Sequence, residues 1–139
     1  MRQKRFLSRY FYKPSRKYLN QNDLVYCNGK YHLISYSRDS NGILFPYILT
    51  SFNESEIIEE QCVGINDKNN TLIYENDIVE LDDGVDFSNA IIEWDDKTGC
   101  WNIRTSDTIY TFDNLYGNDL SIIGNVNLNK DLIEDFYNE

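Results

Sequence analysis

Turn residues cut the second half of this chain into short apolar runs, and that rhythm constrains the fold more than any other feature. Asp77-Ile78-Val79-Glu80-Leu81 alternates, and Asp82-Asp83-Gly84-Val85-Asp86 then turns. Ala90-Ile91-Ile92-Glu93-Trp94 runs into Asp95-Asp96-Lys97-Thr98-Gly99, and Cys100-Trp101-Asn102-Ile103-Arg104 returns. Thr108 to Phe112 and Ser121 to Val126 complete the series. Successive side chains of a strand point to opposite faces, so Ile78 and Glu80 share one face while Asp77, Val79 and Leu81 share the other. Short strands separated by turn signals roughly every 8–12 residues predict an all-β barrel or sandwich. Only the C-terminal Asn129 to Phe136 reads as a helical turn or two, with Asn129 as its cap.

The first half is patterned less strictly. Lys4 to Tyr12 reads as a strand entering a turn at Lys13-Pro14-Ser15, because Pro14 opposes a continuing helix. Leu24 to Cys27 and Lys30 to Tyr36 flank Asn28-Gly29, a strong hairpin signal. Ile43 to Leu49 is apolar but contains Pro46, which confines it to an edge strand, a bulge or a loop. Phe52 to Cys62 admits a short helix over Glu54 to Glu60 or a strand from Ile57 to Val63, and the strand is preferred because the apolar residues form no helical stripe. Asn66 to Asn70 is a loop of residues that tolerate left-handed geometry, Leu72-Ile73-Tyr74 is a short strand, and Glu75-Asn76 turns the chain.

A chain of 139 residues is expected to be one domain, long enough to bury a core without disulfides. Within it, residues 1–19 read as a basic arm, 20–63 as a variable hairpin region and 64–139 as the β core. No apolar run approaches the length of a membrane span, and no apolar segment follows the basic N-terminus as in a signal peptide. The expectation is a soluble protein of a bacterial cytoplasm. Asn occurs 17 times, Ile 15 and Tyr 11, against a single Ala. That bias favours AT-rich codons and points to a low-GC bacterium or its phages.

Charge divides the chain sharply. Arg2, Lys4, Arg5, Arg9, Lys13, Arg16 and Lys17 are the only charged groups up to residue 17; the other six basic groups and all 23 acids follow, a net −17. Such a body repels nucleic acid and membrane phosphates and attracts basic surfaces. The basic arm, with Phe6, Tyr10, Phe11, Tyr12 and Tyr18 interleaved, suits either single-stranded nucleic acid or packing of its aromatics on the core. Packing is the simpler reading.

Catalytic signatures are sparse. The chain has no P-loop, Rossmann, nucleophile-elbow or zincin motif, and no cofactor is expected. Cys27, Cys62, Cys100 and the lone His32 are too scattered for a zinc site; three buried thiols and a surface histidine are expected instead. Glu59-Glu60, Asp82-Asp83 and Asp95-Asp96 have the chemistry of acid–base pairs or Mg²⁺ ligands, but each sits at or beside an expected turn, where acids are common.

One stretch carries a family likeness. Gly64-Ile65-Asn66-Asp67-Lys68-Asn69-Asn70, followed by Ile73-Tyr74-Glu75-Asn76-Asp77-Ile78-Val79, resembles the YopX signature TGLKDKNGKEIYEGDIV of phage and prophage proteins. Phe6 to Lys17 resembles that family's N-terminal KFRAWDKxxKK segment, and Ile122-Ile123-Gly124-Asn125-Val126 its closing VIGNIYENPELL. Trp94, Gly99 and Trp101 match its V-x-W…G-x-[FW] hairpin. Asn70 and Asn76 replace glycines of the signature, and Asn is the next-best residue at positive φ. The resemblance implies a phage origin and a mostly β fold with SH3-like barrel character, and it brings no catalytic residues with it.

Together these features lead to the expectation of a non-enzymatic phage accessory protein that binds a host protein. Its sharpest form is a counter-defence inhibitor covering the basic surface of a defence nuclease with Glu59, Glu60, Asp82, Asp83, Asp86, Asp95 and Asp96. The alternative is a small barrel that binds nucleic acid or a nucleotide through the arm and Trp94, Trp101, Tyr110 and Phe112. Edge strands and tyrosines also suit a homo-oligomer.

Overall fold

The computed structural model describes residues 7–19, 24–113 and 119–137, and its chain is mostly β. The basic residues Arg2, Lys4 and Arg5 lie outside the described residues. Two compact units emerge, one of residues 8–59 and one in which Leu7 joins the described residues from Glu60 onward.

In the unit of residues 8–59, β1 (Ser8–Tyr12) turns back at Lys13 and pairs with β2 (Lys17–Leu19), placing Phe11 opposite Tyr18. β3 (Leu24–Cys27), β4 (Lys30–Arg38) and β5 (Leu44–Asn53) form an antiparallel sheet in that order. Asn28 and Gly29 take φ of 54° and 75°, the left-handed pair that a two-residue hairpin requires. β5 is an edge strand, as Pro46 demands. Leu33 pairs with Thr50 and Ile34 with Ile48, so Leu49 is a bulge. In the next segment the strand reading holds and the helix over Glu54 to Glu60 does not form: a single 3-10 turn at Glu54–Glu56 leads into β6 (Ile57–Asn66), which begins in this unit and ends in the other.

In the second unit, β6 continues to β7 (Leu72–Tyr74), pairing Cys62 with Tyr74 and Asn66 with Leu72. β8 (Asp77–Asp82), β9 (Phe87–Asp95), β10 (Cys100–Arg104), β11 (Ile109–Thr111) and β12 (Leu120–Asn125) form a sheet in the order β11-β10-β9-β8-β12. It curls, barrel-like, around Ile73, Val79, Leu81, Ala90, Ile92, Ile103 and Leu120, all buried. Each large side chain buried there contributes about 1.5–3 kcal/mol. The opposite face is also covered. Ile78 and Ile91 pack with Ile133 from the C-terminal 3-10 helix Lys130–Phe136. Coverage on both faces explains why β8 and β9 hold consecutive buried residues rather than a strict alternation.

The signature-like stretch ties this unit together through buried polar groups. Asp67 is 5% exposed; its Oδ1 accepts the N–H groups of Asn69 and Thr71 at 3.0 and 2.9 Å, and its Oδ2 accepts that of Ile122, on β12, at 3.0 Å. The Lys68 N–H donates to the Leu120 carbonyl at 2.9 Å. Asp77 is buried at the start of β8 and accepts the Tyr74 N–H at 2.8 Å. Asn70 and Asn76 adopt φ of 64° and 67°, so Asn holds the left-handed positions where the resembling signature has Gly. The Asn76 N–H donates to the Ile92 carbonyl, and its own carbonyl accepts the Val126 N–H.

Candidate functional site

The β9–β10 hairpin presents the most site-like surface. Trp94 and Trp101 are cross-strand partners whose rings meet edge to face with centroids 5.2 Å apart. Trp101 also packs on the core, whereas Trp94 is 44% exposed and donates its indole N–H to Asp96 Oδ1 at 2.8 Å. Beside the pair lies a cavity of about 200 Å³. Val63 and Ile65 of β6 form one wall, Cys100 and Trp101 of β10 another, and Thr111 and Phe112 a third, with Asp113 at the rim. A second cavity of about 300 Å³, lined by Gln61, Cys62 and Trp94, shares Val63 and Trp101 with the first. Together they make an aromatic and aliphatic trough with one carboxylate, Asp113, in its lining.

The acids expected to form a partner surface are not gathered into one patch. Asp82, Asp83 and Asp86 sit before β9, Asp95 is its last residue and Asp96 follows it. Nine residues of strand place those turns about 26 Å apart. Each group also shapes its own turn. Asp82 accepts the Gly84 N–H, Asp83 those of Val85 and Asp86, and Asp86 that of Phe87. Asp95 accepts the Lys97 N–H and the Thr98 hydroxyl. The N–H donors of Asp86 and Val85 hold the Asp83 carboxyl below the ordinary aspartate range, and the Lys97 N–H and the Thr98 hydroxyl do the same for Asp95.

Glu60 corrects the expected surface most plainly. It has no exposed area, and its Oε2 accepts the side-chain amides of Asn76 at 2.6 Å and Asn127 at 3.0 Å. Glu59 is exposed. Adjacent residues of a strand face opposite ways, so a Glu-Glu pair in β6 must put one carboxylate in and the other out. The alternation of β6 carried that signal.

The basic arm is structured where it is described. Arg9 lies over the Tyr18 ring, 4.7 Å from its centroid, and Lys13 Nζ donates to the Ser55 carbonyl at 3.1 Å. Arg16 and Lys17 are exposed at the β1–β2 turn and its exit. Tyr10 meets Tyr31 at 5.4 Å and Tyr12 meets Phe52 at 4.7 Å, so the arm's aromatics pack against strands β4 and β5. Burial, then the nearby Glu59 carboxylate, raises the Tyr10 hydroxyl pKa.

Of the aromatics expected to contact nucleic acid, Trp101 and Phe112 meet in the first cavity and Trp94 stands beside them, while Tyr110 packs on the core. The thiols depart from expectation: Cys62 is buried, but Cys27 and Cys100 are exposed because each adjoins a hairpin turn. His32 sits on β4, partly exposed. A carbonyl can only accept, so its Nε2–H donates to Cys27 at 3.3 Å, and Nδ1 accepts the Ser51 hydroxyl at 2.7 Å. Among the described residues, no three His, Cys, Asp or Glu side chains cluster to hold a metal ion. Among the same residues, no helix is long and apolar enough to cross a membrane.

A family model described as YopX protein matches residues 9–134. Protein EF1440 from Enterococcus faecalis has a similar crystal structure: 19% identity and a TM-score of 0.61, over 93% of this chain and 99% of that one. Protein YopX from Bacillus subtilis is similar at 17% identity and a TM-score of 0.56, over 91% and 97%. At those identities both speak for the fold alone. No curated protein matches the sequence.

Proposed function

The chain belongs to the YopX family, and on that premise we propose that it is a phage-encoded, non-enzymatic accessory protein that binds a basic host protein through the Trp94–Trp101 end of its barrel-like unit. The observation that carries this reading is the exposed Trp94 beside two contiguous cavities, with Asp96 bonded to its indole and Asp113 lining the first cavity. A lysine or arginine of the partner lays its aliphatic stem along Val63, Trp101 and Phe112 and directs its charge to those carboxylates. Tryptophan at the centre of a contact is the commonest kind of hot spot. The net charge of −10 steers a basic partner toward the chain. The sharpest form remains inhibition of a host defence nuclease, whose nucleic-acid groove supplies such a basic surface.

The test is affinity capture from phage-infected cells with the full chain, followed by binding measurements on the identified partner. Trp94→Ala is expected to weaken binding by about 2 kcal/mol or more, roughly thirty-fold. Raising salt from 0.05 to 0.5 M is expected to weaken it further. Failure to capture any host protein, or binding indifferent to both Trp94→Ala and salt, refutes the proposal. Tight binding of a single-stranded oligonucleotide lost with Trp94→Ala would favour the nucleic-acid reading, in which Trp94 stacks on a base.

A further inference from the structure

The unit of residues 8–59 holds a pair of side chains with nucleophilic chemistry. His32 of β4 and Ser51 of β5 are cross-strand partners, and the Ser51 hydroxyl donates to His32 Nδ1 at 2.7 Å. On the far side of the ring, Nε2–H donates to the Cys27 carbonyl at 3.3 Å. That second bond keeps the ring proton on Nε2 and leaves the Nδ1 lone pair facing the hydroxyl. A nucleophile, a base within hydrogen-bond reach and a third group that orients the base are the parts of an activated serine. Ser51 is also exposed, so an electrophile can approach it.

The face around the pair selects the electrophile. Toward the start of β4 the next residue on this face is Lys30, about 7 Å along the strand and within the reach of a lysine stem. Residues 24–38 and 44–53 contain no Asp or Glu, so these strands set no carboxylate against an oxyanion formed at Ser51, and the Lys30 ammonium stabilises one. Toward the end of β4 the same face carries Ile34 with its partner Ile48, then Tyr36, then Leu44. Ile48 is 58% exposed, Tyr36 57% and Leu44 54%. From His32 to Arg38 this apolar track runs about 20 Å, room for an extended medium- to long-chain acyl group.

We propose that Ser51 is a covalent acylation site, taking the acyl group of a thioester or activated ester with His32 as its general base. Ser51 Oγ attacks the carbonyl carbon while its proton passes to His32 Nδ1. The bond from that carbon to the leaving thiol or alcohol then breaks, and the leaving group departs with the proton. The product is an ester on Ser51, with the acyl chain along Ile48 and Tyr36. This inference does not rest on the proposed partner contact, whose Trp94 lies in the other unit.

Reaction of the full chain with p-nitrophenyl octanoate, followed by intact-mass and peptide mass spectrometry, tests it. One octanoyl group is expected per chain in the fast phase, on Ser51, with the exposed Ser37 and Ser40 unmodified. Ser51→Ala is expected to abolish that phase and His32→Gln to slow it roughly a hundred-fold. Octanoate is expected to react roughly ten-fold faster than p-nitrophenyl acetate, and Ile48→Glu to remove that advantage. Circular dichroism checks that the variants, all at the surface of the sheet, remain folded. Acylation of lysines or of Cys27 without Ser51 would overturn the proposal. So would a His32→Gln rate equal to the wild type's, which would leave the His32–Ser51 bond a cross-strand tie alone. Acetate and octanoate reacting at equal rates would refute the acyl track.

Discussion

Asp67 offers the sharpest test of how the signature-like stretch works. Its carboxylate accepts three backbone N–H groups, two within its own loop and one, from Ile122, 55 residues away. Burial raises its pKa, but the hydrogen bonds from Ile122, Thr71 and Asn69 outweigh that, and the group titrates below the ordinary range. Hydrogen bonds to a charged acceptor contribute about 1.5–3 kcal/mol each and do not add fully. Asp67→Ala is therefore expected to cost about 4 kcal/mol, and Asp67→Asn, which keeps one acceptor oxygen, about 2 kcal/mol. For a chain of this length those losses lower Tm by roughly 14 °C and 7 °C. The pH dependence is the distinguishing readout. A depressed native pKa means the ionised group stabilises the fold above its unfolded pKa, near 3.9, and loses that contribution as pH falls through the native value. Urea unfolding of wild type and Asp67→Asn should thus show the full gap at pH 7 and a narrowing gap from about pH 4 downward. A gap below about 0.5 kcal/mol at pH 7, or one that persists unchanged to pH 2.5, would mean that the carboxylate is not the clamp between this loop and β12.

Two further outcomes follow from the same geometry. Asn70 and Asn76 hold equivalent left-handed conformations, but only Asn76 bonds to the buried Glu60. Asn70→Gly should change stability by no more than about 0.5 kcal/mol in urea unfolding, whereas Asn76→Gly should cost about 1.5–3 kcal/mol; equal effects would contradict the distinction. For the thiols, reaction of the folded chain with a thiol-specific reagent should modify Cys27 and Cys100 quickly and Cys62 only at the rate of unfolding; three fast thiols, or none, would refute the assigned exposures.

The strands were legible because period-two alternation and turn chemistry are local. Asn28-Gly29 fixed one hairpin, and β10 spans the residues that the turn at Asp95 to Gly99 implied. The limits of the candidate site were set by geometry that local patterns do not contain. Asp82 and Asp95 are both turn acids, one ending β8 and the other ending β9, and the length of β9 separates their turns. Asp67 reads locally as an Asx-turn former, which it is, but its bond to Ile122 depends on β12 arriving beside the loop. Cys27 and Cys100 follow the average tendency of thiols toward burial until their places beside turns are considered.

The apolar run in β5 shows the deeper reason. Ile43 to Leu49 has the composition of a core strand, and Pro46 correctly marks it as an edge. Periodicity reports which residues share a face, but whether a face is covered depends on what else the chain, or another chain, places over it. In β8 and β9 the chain covers both faces, with the Ile73 cluster on one and Ile133 on the other. In β5 the described residues cover neither. Two segments with similar apolar content therefore have opposite environments. If apolar surface of this size persisted in water, it would cost the folded chain solubility without adding stability. What distinguishes them is the surface packed over each strand, which neither periodicity nor composition records.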